Sequence, residues 1–348
     1  MSLFFVNVIV MLISAKILGE AFQRIRQPAL VGELLAGIII GPSLLGLVHP
    51  NESLKVITDL GIFFLMFLTG LEMHPDELKK AGRRATILSV VAFFIPFLGG
   101  SLTAQALGLD MITAMFVGLA LAITAVPVSA VVLMEFGILK SKMGTTVMTA
   151  GVINDILSLV VLAIILQMAT STDQQINYSE LAFSVAKITA FIGGIFLLDF
   201  ILTKTMHFLP RTISPWFDKL KTREVGFAIL LISAIGISLI AEQLGLHFII
   251  GTFFAGLVIY RELIGNENFE KVSSVFSAIT FGFLAPIFFA FVGIELDIFS
   301  ITDALPLFLI LLAVAVAGKI GGGFIGARLG GFSTSESKTI GYLMNNRG

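Results

Sequence analysis

The sequence predicts an all-α protein that crosses a membrane about twelve times, built as two inverted copies of one helical unit with the last segment incomplete. Three observations carry this: an apolar composition, a strict alternation of basic and non-basic loops, and short matches at a nearly constant offset. Of the 348 residues, 57% are hydrophobic and 13% charged. A soluble domain carries about a quarter of its residues charged. The mean hydropathy of +1.01 points the same way.

A hydrocarbon core of ~30 Å needs ~20 apolar residues per helix. On that ruler the segments fall near 3–19, 28–47, 56–72, 85–108, 111–137, 143–168, 180–206, 223–244, 247–262, 272–295 and 303–328, with a further one opening near 336. The first run reads as a helix of the protein rather than a signal peptide. No basic stretch precedes it, Lys16 lies inside it and no small-residue cleavage pattern follows.

Loop charge orients the chain. Lys and Arg lie at 24 and 26, at 79, 80, 83 and 84, at 140 and 142, at 204, 211, 219, 221 and 223, at 261 and 271, and at 328 and 338. The intervening loops hold only Lys55, seventeen against one, so the basic loops are expected in the cytoplasm and the N-terminus outside. A missed helix would scramble this alternation.

The repeat is legible in five places. Leu12-Ile13-Ser14-Ala15 recurs as Leu231-Ile232-Ser233-Ala234, and Ala36-Gly37 as Ala255-Gly256, both at offset 219. Gly70-Leu71-Glu72 resembles Gly293-Ile294-Glu295, and Gly118 matches Gly341, both at offset 223. Gly99-Gly100 and Leu107-Gly108 match Gly321-Gly322 and Leu329-Gly330 at offset 222. The first copy, 1–168, starts outside; the second, 223–348, starts from a basic loop, and 180–206 links them. The copies are therefore expected to be inverted, as in secondary transporters. By the same offset Gly348 falls at Ala125, so the second copy stops short of a partner for 143–168.

Several function classes are excluded. A net charge of -1 argues against nucleic acid as a partner, and the absence of cysteine removes thiol-ligated metal chemistry. His49, His74, His207 and His247 sit near segment ends without metal spacing. No nucleophile, metal cluster or nucleotide loop suggests an enzyme, and no cofactor is expected.

The candidate site rests on polar groups that cost energy in lipid, ~2.5–3.5 kcal/mol each for charges on insertion scales. Asp155 lies near the middle of 143–168, ~18 Å from either end at 1.5 Å per residue. Asn154 precedes it, and Gly151 and Ser158 at i−4 and i+3 give it a small, polar face. A carboxylate beside other oxygens can hold a proton or a small cation. In 111–137, Thr124-Ala125-Val126-Pro127-Val128-Ser129 sits at the centre. Pro127 removes an N–H and should free the carbonyl of Ile123. A break at that depth is tolerated where it is buried in protein or lines a cavity, and its carbonyls, with Thr124 and Ser129, could complete a cation site beside Asp155. Lys319, in a glycine-rich stretch of 303–328, is a candidate counter-charge to Asp155 or a second titrating group. Arg347 falls where the first copy has Thr124, at a second expected break. Glu72 and Glu295 read as helix-end anchors, and Gly41-Pro42 and Ala285-Pro286 as kinks.

Jointly, Pro28 through Gly37, Thr124 through Val128, Gly151 through Asp155, Pro286 through Gly293 and Asn346-Arg347-Gly348 resemble the cation:proton antiporter superfamily, the sodium/hydrogen exchangers, on the bacterial side that includes Kef-type potassium efflux systems. The resemblance implies crossed, discontinuous helices beside a dimerising panel, hence a homodimer in a prokaryotic plasma membrane. It implies elevator-like exchange of Na+ or K+ for H+, with Asp155 as carrier. Electrogenic members tend to pair two acids with a lysine, electroneutral ones Asn-Asp with an arginine. Asn154-Asp155 with Lys319 is a mixed set; its single acid predicts one proton per cation. A sodium-coupled organic-anion symporter of the same architecture, or a cation channel, stays open on the sequence alone.

Overall fold

The computed structural model describes residues 2–73, 75–170, 178–208, 223–258, 266–299 and 305–346. The regular structure among them is helical, with no strand. In chain order the helices are α1 (Ser2–Arg24), α2 (Ala29–Ile40), α3 (Glu52–Glu72), α4 (Pro75–Ala106), α5 (Met111–Ala122), α6 (Val126–Glu135), α7 (Lys142–Thr170), α8 (Tyr178–Phe208), α9 (Arg223–Gln243), α10 (Phe248–Val258), α11 (Asn266–Ile279), α12 (Ala285–Glu295), α13 (Leu305–Leu329) and α14 (Thr334–Leu343). A π-helical turn, Thr280–Leu284, joins α11 to α12. Among the described residues, seven segments are long and apolar enough to cross a membrane, and four more are shorter apolar helices. With α14 these make up the expected twelve.

The differences from expectation have local causes. α2 ends at Ile40 rather than 47, because Gly41, the residue before Pro42, takes an extended conformation with ψ 179. Gly41-Pro42 is thus a helix end and not a kink. α4 starts at Pro75, ten residues before its apolar run: proline suits a first helical turn, and the polar turns that follow carry no hydropathy signal. The segment expected to open at 272 opens at Asn266. Pro286 has no N–H to return to the previous turn, and the wider π turn before it takes up the mismatch. α10 is described as far as Val258; residues 259–262 lie outside the described residues.

The chain packs as two compact units. The first comprises Met1–Glu72, Leu202–Ile237 and Thr252–Leu305. Here α2 and α12 touch backbone to backbone: a Cβ at Gly37 would strike the Ala290 carbonyl, and one at Gly293 the Leu34 carbonyl. α3 and α10 meet in the same way, Gly70 against the Phe253 carbonyl and Gly256 against that of Phe67. Small residues allow this approach where lipid offers no hydrophobic drive. Met11, Ala15, Ala36, Ile287 and Ala290 fill the seam of α1, α2 and α12.

The second unit comprises Met73–Ile201, Ser238–Gly251 and Pro306–Gly348. α4 packs on α5 and α7 around Phe93, Phe97, Leu119, Ala122 and Ile165. Gly118 presses on the carbonyl of Phe97 and the N–H of Ser101, and Gly341 on the carbonyl of Ile320 and the N–H of Phe324. Each of these three pairs is separated by 223 residues.

Candidate functional site

The site lies wholly within the second unit and begins with a helix that stops in mid-segment. Asp110 caps the start of α5, accepting from the N–H groups of Ile112 and Thr113. Its hydrogen bonds, first to the Thr113 side chain, hold the carboxyl below the usual carboxylate range. α5 ends at Ala122, and Ile123 turns extended with φ -61 and ψ 145. α6 begins at Val126 with Pro127 in its first turn, where a missing N–H leaves nothing unpaired. The interruption expected at 124–129 is therefore three residues of non-helical chain, Ile123 to Ala125, and Thr124 in it is buried.

A break exposes the positive end of one helix and the negative end of another. Both ends have partners here. Lys319 of α13, fully buried, donates from Nζ to the Ala122 carbonyl. An ammonium at the C-terminal end of α5 matches the dipole there. The carbonyl that Lys319 takes is that of Ala122, one before the Ile123 carbonyl that Pro127 is expected to free. At the other end, Ala125 donates its N–H to the Asn346 carbonyl at 3.2 Å.

That last bond crosses two interruptions. α14 ends at Leu343, and non-helical chain follows through Asn346. Arg347 lies outside the described residues. Asn346 also donates its side-chain amide to Ser129 Oγ, so Ser129 meets the second break. Sequence reasoning missed Asn346 as a site residue. It flanks Arg347, and the repeat offset had already placed this stretch opposite Thr124, so the signal was present.

α7 brings the acid. Asn154, with no exposed surface, donates from Nδ2 to Thr124 Oγ1 at 3.1 Å. This bond ties α7 to the break. Gly151, one turn earlier, allows the approach: a Cβ there would lie 2.9 Å from Val126 Cγ2. Asp155 is half-buried beside it. Ser158, also buried, donates its proton to the Asn154 carbonyl at 2.8 Å. Of the candidate residues, Thr124 and Asn154 touch, Ser129 joins them through Asn346, and Ser158 stays on its own helix.

The chemistry on offer is that of oxygen. Oδ1 of Asn154, Asn345 and Asn346 are buried and accept no hydrogen bond among the described residues. An unpaired buried acceptor costs ~1–3 kcal/mol, and hard cations take oxygen ligands. No cluster of three or more His, Asp or Glu suits a tightly held metal among the described residues. Thr124→Val keeps the shape but leaves the Asn154 amide without its acceptor. We expect the thermal transition of the purified variant to fall, by the equivalent of about 1–3 kcal/mol for a buried donor left unpaired; an unchanged transition would show that this bond does not hold α7 to the break.

Comparison with known proteins follows the same line. A family model described as sodium/hydrogen exchanger, transmembrane, matches residues 9–348. The chain is 30% identical to the probable Na(+)/H(+) antiporter GerT of Bacillus cereus, over 99% of this chain and 88% of that one. It is 30% identical to a Na(+)/H(+) antiporter of Enterococcus hirae, over 99% and 87% of the two chains. The Na(+)/H(+)-K(+) antiporter GerN of Bacillus cereus is also 30% identical, over 99% and 85%. Among solved structures, the sodium proton antiporter MjNhaP1 of Methanocaldococcus jannaschii matches with a TM-score of 0.68 at 17% identity, covering 97% of this chain and 81% of that one.

Proposed function

The chain belongs to the sodium/hydrogen exchanger family, and on that premise we propose that it exchanges a monovalent cation for protons, with Asp155 as the group that holds one or the other. The observation that carries this reading is the tie between α7 and the break, from Asn154 to Thr124. It sets the carboxylate-bearing turn of α7 beside an interrupted helix whose C-terminal end at Ala122 is met by the Lys319 ammonium. The amide oxygens of Asn154 and Asn346, short of donors, are suited to a cation's remaining coordination. When a proton occupies Asp155, the same oxygens can be served by water. A single site that binds either ion, presented to one side at a time, is sufficient for coupled exchange.

Sodium is the first choice of cation, from the names of the relatives, and potassium the second, from GerN. Purified protein in proteoliposomes with an internal acid-sensitive dye tests both. Sodium added outside should collapse an imposed pH gradient, potassium less effectively; a gradient untouched by sodium, potassium and lithium would end the proposal.

We also read the two halves, 1–168 and 223–348, as inverted repeats. Support comes from the matched glycine contacts. Gly70 on Gly256 and Gly293 on Gly37 exchange under offsets of 223 and 219, and the Gly118 contact maps onto that of Gly341. Because the chain has no cysteine, single cysteines report topology cleanly. A cysteine at Asp76 should be labelled from the cytoplasm and one at the repeat-related end, Asp297, from outside. Labelling of both from one side would mean the halves are not inverted.

A further inference from the structure

In the first unit, Lys16 carries an ammonium into an apolar helix, where a charge is costly. It is exposed on α1, about two turns or ~12 Å from Arg24 at 1.5 Å per residue. Glu20, one turn on, pairs with Arg24 at 3.1 Å. A lysine at this depth ordinarily runs its stem along the helix to bring the ammonium to the interface. Lys16 instead donates from Nζ to the Phe281 carbonyl at 2.6 Å. Phe281 stands midway along the apolar stretch Phe269–Glu295, far from either end of it.

The carbonyl it meets is one that Pro286 leaves free. In the π turn Thr280–Leu284 each bond runs from an N–H to the carbonyl five residues back, and Ala285 donates to Thr280 in this way. The next bond in the series would run from residue 286 to Phe281, and proline has no N–H to make it. Lys16 supplies the missing donor from another helix. A carbonyl in lipid has no water to turn to, so the lysine and the proline each relieve the other's cost. The second unit uses the same device, where Lys319 meets the Ala122 carbonyl at the break before Pro127.

The turn decides which face of α11 is buried. A π turn holds one residue more than an α turn. Closing it to α, with α12 fixed, would draw α11 forward by one residue and rotate it by ~100°. In the observed register Phe276 is buried among Phe64, Phe67 and Phe227, its ring centre 5.4, 4.7 and 4.6 Å from theirs. Ser273 donates to Glu72 Oε1 at 3.0 Å. In the shifted register Val275, now exposed, would take the place of Phe276. The turn also carries an unmet cost. Thr280 Oγ1 is buried without a hydrogen-bond partner among the described residues, whereas Thr58 and Thr69 of α3 donate to the carbonyl four residues back. We propose that Lys16 is a lock on this turn: its bond to Phe281 replaces the N–H of Pro286 and keeps α11 and α12 from closing up by one residue.

The test is a double-mutant cycle on the thermal transition of the full chain in phosphatidylcholine nanodiscs. Lys16→Met alone is a mixed reading, because it removes a charge from lipid as well as a donor. Making it beside Pro286 and again beside Pro286→Ala cancels the charge effect, which is common to both. With Pro286→Ala the chain has its own N–H at that position, and the lysine becomes redundant. Lys16→Met should therefore lower the transition further beside Pro286, by about 2 °C or more. Rescue of an unfolded Lys16→Met by Pro286→Ala is the same result in its strongest form. Equal shifts in the two backgrounds, or no folded protein from Lys16→Met in either, would overturn the proposal. Register is read separately. The chain has no cysteine, so Glu72→Cys with Ser273→Cys can be bridged by a short bifunctional thiol reagent. Bridging should persist with Lys16→Arg, which keeps a donor, and fall several-fold with Lys16→Met. Undiminished bridging in Lys16→Met would show that the register holds without the lysine and overturn the lock.

Discussion

Asp155→Asn is expected to reduce sodium-driven proton movement to the level of empty liposomes while the protein still purifies as a folded membrane protein. The substitution is nearly isosteric and retains a hydrogen-bonding amide, so the packing of α7 against Val126 and the Asn154–Thr124 bond should survive. What it removes is the ability to carry either a proton or a compensating negative charge. Burial of a charged group in this setting is expensive, and an amide removes that cost. A thermal transition unchanged or raised, together with lost exchange, would therefore separate function from folding. Asp155→Glu should retain partial exchange, because the chemistry persists while the carboxylate moves by one methylene.

Lys319 should give the second large effect, in stability rather than in coupling. It is fully buried and donates to the Ala122 carbonyl. Lys319→Met leaves that carbonyl without its partner and the C-terminal end of α5 without its cation, a cost on the order of 1–3 kcal/mol. The thermal transition should fall accordingly, and Lys319→Arg should recover part of it. Charge movement separates this role from proton transfer. Asn154 occupies the position beside Asp155 and cannot titrate, so α7 offers one acid there, and exchange is expected to be electroneutral. Reconstituted protein on a solid-supported membrane should then show no sustained sodium-driven current. A current that reverses with the gradient and disappears in Lys319→Gln would make the lysine a second proton carrier and overturn the assignment.

How much of this was legible beforehand follows from physical rules of differing reach. Hydropathy found the segments because lipid imposes a length, but it overran α2, whose end is set by the backbone of Gly41 before Pro42. It also missed the first ten residues of α4, which are polar and so fall outside its measure. Pro127 announced the break, since a missing N–H leaves a local and unavoidable mark. Where the freed ends find partners is a tertiary question. Sequence could nominate Lys319 by cost; that it meets Ala122 depends on how α13 packs beside α5. Asn346 is not singled out by cost, since an uncharged asparagine carries less penalty than the neighbouring Arg347; only the repeat offset, which sets this stretch opposite Thr124, points to it. Helical spacing placed Ser158 one turn from Asp155, but it could not tell that its proton goes to the carbonyl four residues back, a local bond common for serine in helices.

The central claim is that one carboxylate holds a proton and a cation in turn, and proton release on cation binding tests it most directly. Sodium would be added to the detergent-solubilised protein in weakly buffered solution with a pH indicator, at a pH where Asp155 is partly protonated. About one proton per chain should be released as sodium displaces it, and Asp155→Asn should release none. Release of the same size from Asp155→Asn would place the exchanging proton elsewhere and contradict the account.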